Sequence, residues 1–325
     1  MENIGLRTFG QSKILLSPIG LGTWQFSKKK NFAGKYWKAL NDDEITEIVQ
    51  VSLEGGINWF DTAEMYGNGE SERSLSKALQ KLGKKPDEIF IATKWWPAMR
   101  RSKSIISSIN ERLSALQGFP IDLYQIHMPF SFSSIKSEMK AMAKLVEEGK
   151  IKNIGVSNYS AKQMIKANNE LKKYGLSLAS NQVKYNLIDR TIEKNGILKA
   201  AQDNGIAIIA YSPLEQAILT GRYHDNPELI NNIEGYRKYM PAFTKKSLAR
   251  ITPLINSLKE IAKKYNATAA QVALNWLINY HGNMVFAIPG ATSSKQASSN
   301  CYAMNFKLST EELQMLSNIS DEVTK

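Results

Sequence analysis

A single cysteine, Cys301, stands in a chain of 325 residues, so no intrachain disulfide can form and a reducing compartment fits. No apolar run approaches the roughly 20 residues that span a bilayer. The opening stretch MENIGLRTFG lacks the charged-then-apolar pattern of a secretory signal, and a cytoplasmic location is expected. The formal charge is +12, yet the lysines are scattered in pairs and Lys28-Lys29-Lys30 is the sole triple. Neither zinc-ligand spacing nor an arginine-rich arm accompanies them. Nucleic acid, membrane and metal are therefore not expected partners. The charge reads as a basic solvated surface that favours an anionic cofactor or a phosphorylated substrate. No linker, low-complexity tract or short repeat divides the chain, which is read as one domain over residues 1–325.

What is present is apolar material, 43% of residues, in a regular order. Strand-like runs occur at Ile19–Gly22, Ile57–Phe60, Ile89–Thr93, Ile121–Ile126, Ile151–Val156, Ala179–Val183, Ile206–Ala210 and Val285–Ile288. Most begin about 30 residues apart, the length of a βα unit. Between them, Leu75, Ala78, Leu79 and Leu82 trace a helical stripe, as do Ile105, Ile109, Leu113 and Leu116, and Ile135, Met139, Met142 and Val146. Thr268 with Gln271, and Ser309 with Glu312, are capping-box signals for two further helices.

Eight buried strands alternating with helices close into a barrel or lie in an open sheet. The period runs unbroken, and no Gly-x-Gly-x-x-Gly follows the first strand, where an open dinucleotide-binding sheet often places it. The expected fold is therefore α/β, a single (β/α)₈ TIM barrel. Leu6 to Leu16, with Gly10, form a hairpin closing the barrel bottom in this reading. More than 70 residues separate Ala210 from Val285, which calls for extra helices after the seventh strand, at the catalytic face. Another helix is expected at the C-terminus.

Polar residues follow the strands. Asp61 follows Phe60, Lys94 follows Thr93, His127 follows Ile126, and Tyr66 lies before Gly67-Asn68-Gly69. Singly, each has an ordinary structural explanation: a cap, a half-buried ring, a solvated amine, a core imidazole. At successive strand ends of one barrel they converge on one face, and their conjunction points to chemistry.

The segments GINWFDTAEMYGNGESE, IFIATK, IDLYQIH, IKNIGVSN, NQVKYN, IIAYSPL and AIPGATSSKQASSN resemble, in order, those of the aldo-keto reductase superfamily. The overall likeness is to microbial and plant members of the branch similar to potassium-channel β-subunits. The resemblance implies reduction of small aldehydes or ketones with a nicotinamide cofactor, with Tyr66 as general acid. It implies that Lys94 lowers the Tyr66 pKa, that Asp61 holds Lys94, and that His127 orients the carbonyl. It places the nicotinamide against Ser157, Asn158, Gln182 and Tyr211, and the pyrophosphate near Ser212, Leu214 and Gly221, with Arg222 as an added charge. Gly22, Thr23 and Trp24 match the first strand-end segment, and Ile288, Gly290, Thr292, Gln296 and Asn300 the adenosine end. Relatives often carry arginine or lysine where Thr292 stands, and an acidic residue where Ser299 stands; Ser293, Lys295 and Gln296 are the substitutes at hand. NADPH is favoured, with NADH or dual use as the alternative. Trp24, Trp95, Trp96 and Phe130 are read as the substrate pocket, and the basic connection from Phe26 to Leu40 as shaping access to it. A slow, redox-sensing binding subunit is the competing function.

Overall fold

All eight apolar runs form strands, each short because a strand inside a closed barrel crosses only the core. The computed structural model describes residues 5–28, 38–231, 233 and 240–324. Most of the Phe26 to Leu40 connection, with Lys29 and Lys30, lies outside them. A hairpin of β1 (Arg7–Thr8) and β2 (Leu15–Leu16) precedes the barrel. The barrel strands are β3 (Leu21–Gly22), β4 (Trp59–Asp61), β5 (Phe90–Trp95), β6 (Leu123–Ile126), β7 (Asn153–Ser157), β8 (Leu178–Lys184), β9 (Ala207–Tyr211) and β10 (Val285–Ala287). They pair in parallel in chain order. The first and last meet through Gly20 N–H to Ala287 O at 2.9 Å and Gly22 N–H to Pro289 O at 3.1 Å, which closes the ring.

The hairpin floors the barrel. Phe9 packs edge-on against Phe90 and Phe286, with ring centroids 5.8 and 5.3 Å apart, in a cluster with Trp59, Leu123 and Ile209. Gly10 makes this approach possible: at φ +58° a Cβ there would lie 2.8 Å from the Ala179 carbonyl. Outside, a second cluster fills the layer between strands and helices. Both expected capping boxes form, Thr268 with Gln271 and Ser309 with Glu312, opening helices Ala269–Asn279 and Thr310–Thr324. The stretch after β9 holds short helical turns and the extra helix Lys245–Lys264, as its length requires.

One expected helix is interrupted. The stripe from Ile105 to Leu116 divides into Lys103–Ser107 and Ile109–Ala115. Ser108 at the break donates its hydroxyl to Ser104 O, at 2.6 Å, so its side chain competes for the helical backbone.

Strand alternation sorts the residues that follow. On β5, Phe90 and Ala92 belong to the interior cluster, while Ile91 and Trp95 belong to the outer one. Lys94 therefore points into the barrel and Trp95 away from it. Trp95 is wholly buried outside, bonded through Nε1 to Ser104 Oγ at 3.2 Å, which removes it from the substrate pocket.

Candidate active site

Asp61 closes β4 and Lys94 lies near the end of β5, both facing the axis above the apolar floor. They form an ion pair that is 1% and 0% exposed. Two unit charges buried so deeply need every lone pair and proton engaged. Lys94 Nζ also donates to Thr62 O at 2.9 Å and stands 3.5 Å from the Tyr66 hydroxyl. Asp61 Oδ2 accepts from Gln182 Nε2 at 2.8 Å and Gln125 Nε2 at 3.2 Å.

Gln125 is part of this arrangement and no sequence signal marked it as functional. It sits beside Lys94 in the β5–β6 register, with Gly155 next to it on β7. A Cβ at Gly155 would come within 2.8 Å of the Gln125 side chain. A bare position inside a strand lets the amide lie across the barrel and reach Asp61. That glycine, within IGVSN, is the clue the sequence held.

Tyr66 stands over Lys94, whose ammonium is 5.0 Å from the ring centroid. Trp24 stacks on the tyrosine at 5.9 Å and 20°, and His127 meets it edge-on at 5.9 Å and 83°. Burial raises the Tyr66 pKa above its ordinary value; Lys94 pulls it down only in part, and Asp61 adds to the rise. Lys94 thus lowers the Tyr66 pKa as expected, but desolvation of the phenolate outweighs the nearby cation and the net shift is upward. At Lys94 burial favours the neutral amine, yet Asp61 and then Tyr66 prevail and raise its pKa. Burial, and secondarily the Lys94 charge, hold His127 well below the usual imidazole range.

His127 is therefore a neutral imidazole near pH 7, and its buried Nδ1 has no partner among the described residues. Titration followed by NMR should leave the His127 ring resonance at its neutral position down to pH 6, where a free imidazole of pKa about 6.5 is mostly charged. The chain has 3 histidines, so a His127→Asn spectrum assigns the signal. A midpoint near 6.5 would contradict the buried, cation-facing environment.

The neighbouring strand ends are tied together by Asn158, at φ +60°. Its N–H donates to Gln182 O at 2.8 Å, its Nδ2 to His127 O at 3.3 Å, and its Oδ1 accepts from the Tyr211 hydroxyl at 3.0 Å. Ser157 Oγ donates to the same Gln182 carbonyl at 2.9 Å. Ser157, Asn158, Gln182 and Tyr211 thus share one corner of the mouth, although the Gln182 amide serves Asp61. Thr23 is fully buried, with its N–H and hydroxyl on Asp61 O at 2.9 and 3.0 Å, so it braces Asp61 and its hydroxyl does not line the mouth.

After β9 the chain passes through left-handed backbone at Ser212, Glu215, Gln216, Ala217 and Gly221. Glu215, also missed from the sequence, anchors this stretch: its buried carboxylate takes Lys184 Nζ at 2.7 Å and Asn186 Nδ2 at 2.8 Å. Leu214 is half-buried against the core, and Arg222 is exposed with its guanidinium 4.8 Å over the Tyr223 ring. At the far end Ile288 is buried, and the side chain of Gln25 occupies the space a Cβ on Gly290 would take. Asn300 donates to Gly290 O at 3.3 Å, and Gln296 Oε1 accepts from Thr292 N–H at 2.9 Å. Ser293 caps the helix Ser294–Tyr302, and Lys295 is exposed on its first turn.

A closed parallel barrel with ionisable groups gathered at the C-terminal strand ends defines a (β/α)₈ enzyme architecture. The profile of the Aldo/keto reductase family matches residues 18–321, and the chain belongs to that family of oxidoreductases. It is 39% identical to an uncharacterised oxidoreductase of Mycobacterium tuberculosis over 93% of this chain and 88% of that protein. It is 32% identical to the chloroplastic pyridoxal reductase of Arabidopsis thaliana over 95% and 85%. The NADH-specific methylglyoxal reductase of Escherichia coli is 27% identical over 97% of this chain and 98% of that one. Among solved structures, an aldo-keto reductase of Klebsiella pneumoniae in complex with NADPH superposes with a TM-score of 0.73 at 26% identity, over 97% of this chain and 95% of that one.

Proposed function

We propose that this protein reduces small aldehydes or ketones to alcohols with NADPH, with Tyr66 as the proton donor. The observation that carries this reading is the Tyr66 hydroxyl standing between a buried, charged Lys94 and a neutral His127. The reduced nicotinamide, when bound, supplies the hydride. The corner formed by Ser157, Asn158 and Tyr211, backed by Gln182 whose amide serves Asp61, fits its ring: two strand ends bring amide and hydroxyl groups beside a half-buried phenol face.

A carbonyl oxygen gains negative charge as hydride arrives, and the protein's part is to neutralise it. Tyr66 transfers its hydroxyl proton to that oxygen. Lys94 stabilises the phenolate left behind, and Asp61 with its two glutamine donors keeps the lysine charged and in place. His127, uncharged, donates a ring N–H towards the same oxygen and orients the carbonyl. The apolar rings of Trp24, Trp96 and Phe130 favour a substrate with an apolar portion.

NADPH is preferred over NADH in this reading on the strength of the family resemblance and the NADPH-bound Klebsiella structure. The Thr292 end, where Ser293 and Lys295 stand beside the helix start, is the part of the site that departs from relatives. A panel of carbonyl compounds including pyridoxal, assayed separately with NADPH and NADH, tests the proposal. Turnover of at least one carbonyl with lower KM for NADPH supports it. Failure of both cofactors to bind or react would refute it.

A further inference from the structure

One wall of the mouth is held in an unusual conformation. Beyond Trp96 the chain turns through Pro97 to Arg100, with Met99 at φ +59° and 82% exposed. A bulky residue stays in left-handed backbone only where its surroundings over-determine it. Arg100 does this. Its Nη1 binds the Glu64 carboxylate and reaches Trp96 O at 3.1 Å; Nε reaches Ser104 Oγ at 3.0 Å and Nη2 reaches Ser108 Oγ at 2.8 Å. Its own N–H bonds Pro97 O at 3.0 Å, and its carbonyl accepts from Phe132 N–H at 2.9 Å.

These contacts join the loops of three strands. Glu64 lies two residues before Tyr66, Trp96 follows β5, and Phe132 belongs to the loop after His127. The last two loops are further zipped by Ser102 N–H to Ser133 Oγ at 2.8 Å. The joined loops present rings in sequence from the reacting centre outwards. Trp96 meets His127 edge-on at 5.2 Å, Phe130 meets Trp96 edge-on at 5.6 Å, and Phe130 is 45% exposed. A carbonyl held at Tyr66 and His127 has its substituent against this series.

We infer that Arg100 is the positioning residue of an aromatic wall that gives the enzyme its preference for carbonyl compounds bearing a flat aromatic group. This rests on the reductase reading. Arg100 touches neither substrate nor cofactor; it acts through Trp96, by fixing the turn that carries it. The fork of the guanidinium is what serves, because four separate acceptors on three segments are reached at once.

The test compares benzaldehyde with propionaldehyde, which is too small to cover the wall, in wild type, Arg100→Met, Arg100→Lys and Glu64→Gln. In Arg100→Met the KM for benzaldehyde should rise about tenfold. Its kcat, and the KM for propionaldehyde, should stay within about threefold, the scale of lost indirect contacts. Arg100→Lys, which keeps charge without the fork, should fall between, and Glu64→Gln should shift KM the same way. NADPH affinity, read by fluorescence, should not change. An unchanged benzaldehyde-to-propionaldehyde KM ratio in folded variants would overturn the inference, as would an equal loss on both aldehydes. Should wild type reduce neither aldehyde, the reductase reading is decided separately by the wider carbonyl panel with NADPH and NADH. Benzamide binding, read by tryptophan quenching in the same variants, then decides the wall: about tenfold weaker binding to Arg100→Met supports it, and equal binding overturns it.

Discussion

Replacing Tyr66 by phenylalanine is expected to leave the fold and nicotinamide affinity intact while lowering carbonyl reduction by about a hundredfold to ten-thousandfold. The substitution removes one oxygen. Among the described residues that oxygen's hydrogen bond is the long one from Lys94, at 3.5 Å, so little stability goes with it. The ring stays stacked on Trp24. What is lost is the proton that the developing alkoxide requires. His127 cannot replace it, because a neutral imidazole with a depressed pKa is a poor acid near pH 7. Steady-state kinetics on the best carbonyl of the panel, with cofactor binding measured by fluorescence titration, checks this. Turnover within tenfold of wild type would exclude Tyr66 as the acid. Because burial raises the Tyr66 pKa, the phenol keeps its proton through neutral pH, and wild-type reduction should fall only on the alkaline side.

The second large effect is on stability. Breaking a buried ion pair by removing one partner costs about 3–5 kcal/mol, since the remaining charge is left uncompensated in a low dielectric. Lys94→Met leaves Asp61 with its glutamine donors alone; Asp61→Asn leaves Lys94 with Thr62 O and Tyr66. Each single variant should lose stability of that order in denaturant unfolding. The double variant should recover much of the loss and remain inactive, because no unpaired charge stays buried while the cation behind Tyr66 is gone. Strictly additive losses would show that the two charges are not coupled. The Lys94 pKa is raised in the folded protein, so this stabilisation is fully present below the ordinary lysine value and is lost only as pH climbs through the folded one. The pair is accordingly intact across the neutral range where reduction is measured.

Much of the architecture was legible in the chain. The eight apolar runs, the Leu6 to Leu16 hairpin and both capping boxes rest on local chemistry: period, turn residues and side chains that bond their own helix start. The convergence of Asp61, Tyr66, Lys94 and His127 followed from placing polar residues at strand ends. Trp95 was misplaced in the pocket, although alternation from Lys94 already sends it outwards. The break at Ser108 is local, a hydroxyl bond to Ser104 O that an apolar stripe does not report; the roles of Gln125, Glu64, Arg100 and Glu215 were not legible. Their partners lie on other segments, and an opposite charge many residues away carries no local signature.

The sequence by itself determined the order of strands and helices, the face at which chemistry gathers and the residue types available there, because periodicity and strand direction are properties of short stretches. Tertiary structure alone decided the electrostatics of that face. Lys94 lowers the Tyr66 pKa, but the net direction depends on how far burial opposes it, and burial is set by Trp24, His127 and the closed ring of strands around them. The aromatic wall is of the same kind: Trp96 is visible in the chain, but the fold alone brings Arg100, Glu64 and Phe132 to one place to hold it.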